Sequence, residues 1–124
     1  MKKIAKISET EWYVMKIIWS NNPITANEVI EKLEGVSDWK PKTVKTLLNR
    51  LLKKKIISFN KENRAYLYYP LITEQECMKA ESQSFLERIY GGSFNLMIAN
   101  FLEERDLSKT DIEELKRILE KKSK

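Results

Sequence analysis

Histidine is absent from this 124-residue chain, and cysteine occurs once, at Cys77. Without histidine there is no imidazole base and no Ser-His or Cys-His pair, so the sequence does not indicate an enzyme. A single cysteine cannot form an intrachain disulfide or a cysteine-based metal site, and we expect a small buried thiol in a reducing compartment. We therefore predict no catalytic residues, no metal and no cofactor.

Long apolar runs are also missing, and glycine and proline are scarce, with three of each. The apolar runs are of the size of Trp12–Met15, whereas a helix that crosses a bilayer needs about 20 residues. Met1–Ser8 contains three lysines where a secretory signal would begin its apolar stretch. These features predict a compact, mostly helical protein in the cytoplasm, without membrane insertion.

Positive charge is concentrated in the first part of the chain. Residues 1–70 hold 14 basic and 7 acidic side chains, whereas residues 71–124 hold 9 and 11. Residues 40–55 contain seven basic residues and no acidic one, which is typical of a binding site for a polyanion. We therefore expect two domains with different tasks, the first over residues 1–72 and the second over residues 73–124.

Capping boxes mark three helix starts. They are Ser8–Glu11, Thr25–Glu28 and Thr73–Glu76, in each of which a hydroxyl and a carboxylate three residues later can satisfy two free backbone amides. The second helix is short and should end at Gly35, and Pro41 is well placed as the first residue of a third helix. Two helices, a tight connection and a third helix follow the order of a helix-turn-helix.

Among the predicted elements, the third helix, over residues 41–54, gives the strongest indication of function. At 100° per residue its apolar side chains fall in one arc and its polar side chains in the complementary arc. The polar arc has no acidic residue and places Thr and Asn between cations, groups that contact phosphates and base edges. A charged face that is merely solvated is the alternative. The side chains predicted to bind DNA are Lys42, Thr43, Lys45, Thr46, Asn49 and Arg50.

After this helix the apolar period changes from 3.6 to 2. Ile56–Phe59 and Ala65–Tyr69 predict two strands, joined by the polar turn Lys61–Arg64 and stopped by the following proline. A helix-turn-helix followed by a hairpin is the order of a winged helix, which would place Lys61 and Arg64 near DNA. A hairpin that only closes the core is the alternative, and Tyr66 and Tyr68 are expected to serve packing.

The sequence from Thr73 onward predicts three further helices, over residues 74–90, 94–104 and 109–122. The middle one is apolar on more than one side, and about 50 residues cannot cover such a helix alone. A partner chain would cover it; packing onto the first domain, or a ligand pocket, are the alternatives. The expected fold is mainly α, a winged helix-turn-helix with a small hairpin wing and a C-terminal three-helix dimerisation region. The side chains expected at the dimer interface are Phe94, Met97, Ile98, Phe101, Leu102, Leu107, Ile112, Leu115 and Leu119.

A family resemblance extends in unbroken order from about residue 4 to residue 120. The segments that carry it are Ile7–Trp12, Val14–Trp19, Asp38–Leu47, Arg50–Leu51, Tyr90–Gly92 and Asn100–Phe101. With them the chain resembles the penicillinase and methicillin-resistance repressors, the BlaI/MecI family. The resemblance implies a homodimeric repressor on a dyad operator of β-lactam-resistance genes. It also implies operator contacts at Lys42, Thr43, Lys45, Thr46 and Arg50, with a wing contact near Arg64.

The resemblance further implies a proteolytic switch. A membrane-bound β-lactam sensor protease would cut the chain between Asn100 and Phe101 and so detach residues 101–124. Nothing in the residues alone marks this bond. A related repressor of another operon, released by a different signal, and a helical protein-interaction adaptor are the alternatives.

Three lysines depart from the family pattern. Lys45 stands where many relatives have Arg or Gln, so it lacks a guanidinium fork for bidentate recognition. Lys40 leaves the third helix without a good N-cap residue. Lys55 replaces the usual glycine after that helix, at a cost of about 1 kcal/mol if its backbone is left-handed.

Overall fold

The computed structural model describes residues 4–123. Residues 1–3 of the predicted first domain and residue 124 of the second lie outside this range, as does part of the predicted N-terminal segment. Over the described range the chain divides between Glu81 and Ser82 into two compact units. Its elements are α1 (Glu9–Ser20), α2 (Ala26–Leu33), α3 (Pro41–Lys53), β1 (Ile57–Glu62), β2 (Ala65–Pro70), α4 (Glu74–Tyr90), α5 (Phe94–Glu103) and α6 (Lys109–Lys122). The expected mainly α fold is confirmed.

Local capping determines where the helices begin. The Ser8 hydroxyl accepts from the Glu11 amide at 3.2 Å, and Glu11 Oε1 accepts from the Ser8 amide at 2.8 Å. The same reciprocal pair forms at Thr25–Glu28 and at Thr73–Glu76. All three predicted capping boxes are therefore present, and a further one, Ser108–Asp111, starts α6.

The core of the first unit lies where the first three helices meet the start of the wing. Met15, Val29, Leu51 and Ile56 are completely buried there. Burial of each such side chain stabilises the fold by about 1.5–3 kcal/mol. The regularly spaced apolar side chains of α1, α2 and α3 thus form the core, as the sequence predicts. The buried polar side chain of this unit, within residues 4–123, belongs to Glu11.

Cys77 of α4 also lies in this core, at 2% exposure. Burial, with smaller effects of Glu76 and Glu74, raises the pKa of its thiol to about 11. The expected buried thiol is confirmed, and its raised pKa keeps it protonated near neutral pH.

The wing is a two-stranded antiparallel hairpin in which Glu62 pairs with Ala65 next to the turn. The predicted turn Lys61–Arg64 is wrong: Lys61 and Glu62 belong to β1, and the loop is only Asn63 and Arg64. Both loop residues have positive φ, 46° and 71°, as in a type I′ turn, the geometry that matches strand twist. Asn63-Arg64 lacks the glycine that normally signals this turn, so the sequence pattern did not reveal it.

The outer end of the hairpin also differs from the prediction. Pro70 is the last residue of β2 and lies opposite Ile57, rather than just after the strand. A proline is tolerated at such a terminal position because no further ladder hydrogen bond is required of it. Ile24 exchanges two backbone hydrogen bonds with Tyr68, of 3.0 and 2.7 Å, which ties the segment before α2 to the wing.

The second unit contains α5, α6 and the end of α4. Ser93 caps α5, its hydroxyl accepting from the Leu96 amide at 3.3 Å. Neither α5 nor α6 contains a buried residue within the described range. Large apolar side chains such as Phe94, Ile118 and Leu119 are more than half exposed. This unit therefore keeps much of its apolar surface accessible.

Candidate nucleic-acid interface

The exposed face of α3 carries the predicted DNA-binding side chains. Its first turn contains no acidic residue, and its last turn contains Arg50 and Lys53. The opposite face is buried through Val44, Leu47, Leu48 and Leu51. The side chains that are exposed as predicted are Lys42, Thr43, Lys45, Thr46, Asn49 and Arg50. Packing of the apolar arc fixes the roll of the helix and so presents these six side chains together.

One of these groups is already engaged within the helix. The Thr46 hydroxyl donates to the Lys42 carbonyl at 3.0 Å. Its oxygen lone pairs remain available as acceptors, so Thr46 can accept a hydrogen bond from a base amino group or a water. Arg50 and Asn49 bring donors in a fixed plane, which suits base edges.

The start of α3 lacks a side-chain cap, as predicted. Lys40 at the N-cap makes no side-chain hydrogen bond to the first turn, and Pro41 occupies the first helical position. The Lys40 carbonyl accepts from the Thr43 amide at 2.9 Å. The Val44 amide bonds to the same carbonyl and Pro41 has no N–H, so the positive end of the helix dipole, rather than a set of free donors, adds to the positive charge of the exposed face.

An ion pair that the sequence analysis missed anchors the end of α3. Lys54 Nζ donates to Glu11 Oε1 at 2.6 Å and to the Lys6 carbonyl at 2.8 Å. Burial by itself would raise the pKa of Glu11, but the hydrogen bonds from Lys54 and Ser8 outweigh it and hold the pKa below its ordinary value. Glu11 is 1% exposed and therefore carries a buried negative charge that is paired at the base of α3. The capping box identified Glu11, but its partner 43 residues away has no local signal.

The wing presents two further cations. Lys61 and Arg64 are exposed, Lys61 in β1 and Arg64 in the turn. Lys61 Nζ lies 6.0 Å from the centroid of the Tyr66 ring, and that ring stacks on Phe59 with 4.3 Å between centroids. Tyr68, expected to serve packing, is buried, whereas Tyr66 is 45% exposed.

An open cleft of about 570 Å³ separates α3 from the wing. It brings together Lys45 and Asn49 of α3 with Lys61 and Arg64 of the wing. The other four predicted contacts lie along α3 outside the cleft. The walls also include residues that the sequence analysis did not propose, namely Thr25, Ala26 and Asn27 at the start of α2 and Ala65, Tyr66 and Tyr68 of β2. Among residues 4–123, no acidic residue lines the cleft, so a polyanion would meet cations and uncharged groups there.

In the second unit, the predicted cleavage pair lies inside α5. Asn100 Nδ2 donates to the Tyr90 hydroxyl at 3.3 Å. Phe101 is 46% exposed and contacts Phe85 and Tyr90, each with 6.4 Å between ring centroids. Both residues of the pair are therefore at the surface, in a segment held as helix.

A groove of about 770 Å³ lies between α5 and α6. Eight of the nine predicted interface side chains line it, and Met97 does not. Ile118 lines it as well, although it was not among the predicted residues. The apolar groove, as we call this surface, is lined by Phe94, Ile98, Phe101, Leu102, Arg105, Asp106, Leu107, Ile112, Leu115, Lys116, Ile118 and Leu119.

Among residues 4–123, no helix combines the length and the apolar character needed to cross a membrane. The same residues contain no cluster of three or more side chains that could hold a metal ion.

Comparison with known proteins shows similarity along nearly the whole chain. The penicillinase repressor family matches residues 7–121. The penicillinase repressor of Bacillus licheniformis is 48% identical over 120 residues, which cover 97% of this chain and 94% of that protein. The methicillin resistance regulatory protein MecI of Staphylococcus aureus (strain N315) is 43% identical over 120 residues, 97% of this chain and 98% of MecI. These relatives are regulators and not enzymes.

Solved structures show the same similarity in the first unit. The DNA-binding domain of the repressor BlaI in solution has a TM-score of 0.55 and 47% identity, over 61% of this chain and 93% of that domain. The monomeric form of Bacillus licheniformis BlaI, solved in complex with the blaP half-operator, has a TM-score of 0.54 and 47% identity, with the same coverage. The winged-helix DNA-binding fold of the first unit is therefore established.

Proposed function

This chain belongs to the penicillinase repressor family, and we propose from this that it is a homodimeric transcriptional repressor of β-lactam-resistance genes. It acts in the cytoplasm on a dyad operator in front of β-lactamase or penicillin-binding-protein genes. The observation that carries the proposal is the acid-free face of α3 together with the cleft beside it. The half-operator complex of the related BlaI supports it.

In the proposed complex, α3 lies in the major groove. Arg50 and Asn49 read base edges, since guanidinium and amide groups pair with guanine and adenine there. Lys42 and Lys45 neutralise phosphates, and Lys61 and Arg64 hold the flanking backbone. Thr43 and Thr46 contact the DNA between these groups.

A second copy of the chain covers the apolar groove in this proposal. The groove is mostly apolar, and its charged members Arg105, Asp106 and Lys116 include both signs, which suits a self-complementary contact. Each copy then binds one half-site. Because the second half-site is met at an effective concentration in the millimolar range, the dimer gains a factor of about 10² to 10⁴ in affinity.

Release follows from cleavage between Asn100 and Phe101 by a membrane-bound β-lactam sensor protease. Asn100 is exposed and does not line the apolar groove, which supports access to the bond from that side of α5. The cut removes α6 and the last turn of α5, and with them Phe101, Leu102 and the α6 side chains of the groove. The shortened chain keeps its DNA-binding unit and loses the dimer, so it dissociates from the operator.

The test compares the full chain with a chain that ends at Asn100. On a dyad duplex selected by the full chain from random DNA, we expect the shortened chain to bind about 10² to 10⁴ times more weakly, measured by fluorescence anisotropy. A duplex with a single half-site is the control, and both lengths should bind it equally. Equal affinity for the dyad, or failure to select any consensus sequence, would contradict the proposal.

A further inference from the structure

The hairpin carries a pair of aromatic side chains, Phe59 in β1 and Tyr66 in β2, that has no role in the proposed function. Phe59 and Tyr66 stack with 4.3 Å between centroids and an interplanar angle of 26°. They keep 36% and 45% exposure, so the stack is open to solvent rather than inside the core. Tyr68, two residues along the same strand, fills the core position instead. A hairpin that only closed the core would not need the exposed pair.

Lys61 is held against this pair. It lies opposite Tyr66 in the register of the hairpin, and its Nζ is 6.0 Å from the Tyr66 ring centroid. A lysine over an aromatic face is attracted by the ring, by about 0.5–1 kcal/mol at an exposed site. The stack of Phe59, Tyr66 and Lys61 therefore restricts a side chain that would otherwise sample many rotamers.

Two of these three residues, Tyr66 and Lys61, also line the cleft, whereas Phe59 does not. Tyr66, Lys61 and Arg64 face the cleft from the wing, and Lys45 and Asn49 face it from α3. The cleft is open to solvent and has a volume of about 570 Å³, within the range of pockets that hold small ligands. Its cations and neutral donors fit a phosphodiester, because such a group offers only acceptors and a negative charge.

We propose that Tyr66 is a DNA-backbone contact: its hydroxyl donates to a phosphate of the operator strand that lies in the cleft, while its ring holds Lys61 beside that phosphate. This inference rests on the proposed function and specifies how the wing takes part in it. The contact is with the backbone, so it adds affinity and fixes the wing without reading sequence. Base stacking on Tyr66 and simple packing are the competing roles.

The experiment uses the full chain, Tyr66→Phe and Tyr69→Phe. Tyr66→Phe keeps the stacked ring and removes only the hydroxyl. Tyr69 lies on the opposite face of β2 and does not line the cleft, which makes it the matched control. Affinities are measured by anisotropy on the selected operator duplex and on a scrambled duplex, over a range of salt concentrations.

We expect Tyr66→Phe to weaken binding to both duplexes by the same factor, about threefold to tenfold, with an unchanged salt slope. Tyr69→Phe should bind as the wild type does. Replacing single phosphates by neutral methylphosphonates should reveal one position that matters for the wild type and matters much less for Tyr66→Phe. Lys61→Gln should lower the salt slope by about one ion.

Two results would overturn the role of Tyr66. If Tyr66→Phe binds both duplexes like the wild type, the ring only packs. If the loss is confined to the operator duplex, Tyr66 reads bases rather than the backbone. Failure of the proposed function is a separate result, namely that the wild type selects no consensus; the Tyr66 comparison is then made on random duplex with the same expected loss.

Discussion

Three non-glycine residues of the described chain have left-handed backbone: Lys55, Asn63 and Arg64, with φ of 61°, 46° and 71°. Such a conformation costs an L-residue about 1–2 kcal/mol, less for asparagine. Lys55 follows α3. Its amide donates to the Leu52 carbonyl at 3.0 Å and so closes the end of the helix. Arg64 is in the wing turn at a position where glycine is favoured. We therefore expect the positive charge of Arg64 to serve the proposed DNA contact at the expense of stability.

This argument makes a prediction for Arg64→Gly. The free energy of unfolding should rise by about 1 kcal/mol, because glycine adopts positive φ without strain. The affinity for DNA should fall, with the salt slope reduced by about 0.9. Chemical denaturation and anisotropy at several salt concentrations measure the two effects.

Lys55→Gly is the matched control, since it also removes one positive charge from a left-handed position. It should gain similar stability and lose much less affinity, because Lys55 does not line the cleft. An equal loss of affinity in both variants would mean that Arg64 acts only through net charge.

The strain at Lys55 could be predicted from the sequence, because a glycine is usual there in the resembling family. The strain at Arg64 could not, because Asn63-Arg64 contains no glycine to mark the turn.

At the scale of elements, the pair Glu11–Lys54 links the start of α1 to the end of α3. Because Glu11 is buried, loss of either charge would leave the other group without its partner and would lower the stability of the fold. Since Lys54 follows α3 directly, the pair also fixes the end of the helix that presents the side chains predicted to bind DNA.

Glu11→Gln should lower the free energy of unfolding by about 1–3 kcal/mol at about pH 7. The pKa of Glu11 is lowered in the folded state, so its stabilising contribution is present above its unfolded pKa and is lost as pH falls through the folded pKa. The difference between wild type and Glu11→Gln should therefore shrink at about pH 3. Urea unfolding at the two pH values measures it.

Glu9→Gln is the control for this prediction. Glu9 is exposed in the same first turn of α1, and its substitution should change stability by no more than about 0.5 kcal/mol at either pH. A difference for Glu11→Gln that stays constant with pH would contradict the assignment of a paired, ionised Glu11.

The elements themselves were largely predictable, for reasons that differ between helices and strands. Capping boxes and the 3.6-residue period are local signals, and the observed helices begin and end within a residue or two of the expected positions. The hairpin ends depend on register and turn type, so Lys61 and Pro70 were placed outside the strands to which they belong. The Glu11–Lys54 pair and the cleft arise from residues far apart in sequence, and no local pattern carries them.

On the scale of the whole molecule, positive charge and exposed apolar surface are separated along the chain. Residues 1–70 carry the basic excess and residues 71–124 are slightly acidic. The apolar groove lies wholly within the second unit. Eight of the nine side chains that the sequence predicts for a dimer interface line this groove; Met97 does not, and the groove also includes Ile118 and the charged residues Arg105, Asp106 and Lys116. The proposed cover of the groove by a second copy is a contact between chains, and no local pattern in the sequence specifies its geometry.

The groove makes the final prediction, which concerns Leu115→Asp. Leu115 lines the groove and is 43% exposed in the single chain, so the substitution should leave the fold intact. If a second copy covers the groove, an aspartate there becomes buried without a partner, and we expect dimer affinity to fall about a hundredfold or more. Sedimentation equilibrium measures this, and binding to the dyad duplex should weaken while binding to a half-site stays unchanged.

Thr110→Asp is the matched control, because it adds the same charge at an exposed position of α6 outside the groove. It should dimerise and bind the dyad as the wild type does. If Leu115→Asp remains dimeric with full affinity for the dyad, the groove is not the contact between copies. The release mechanism would then fail too, because cleavage before Phe101 acts by removing α6 and the apolar side chains that α6 contributes to this groove.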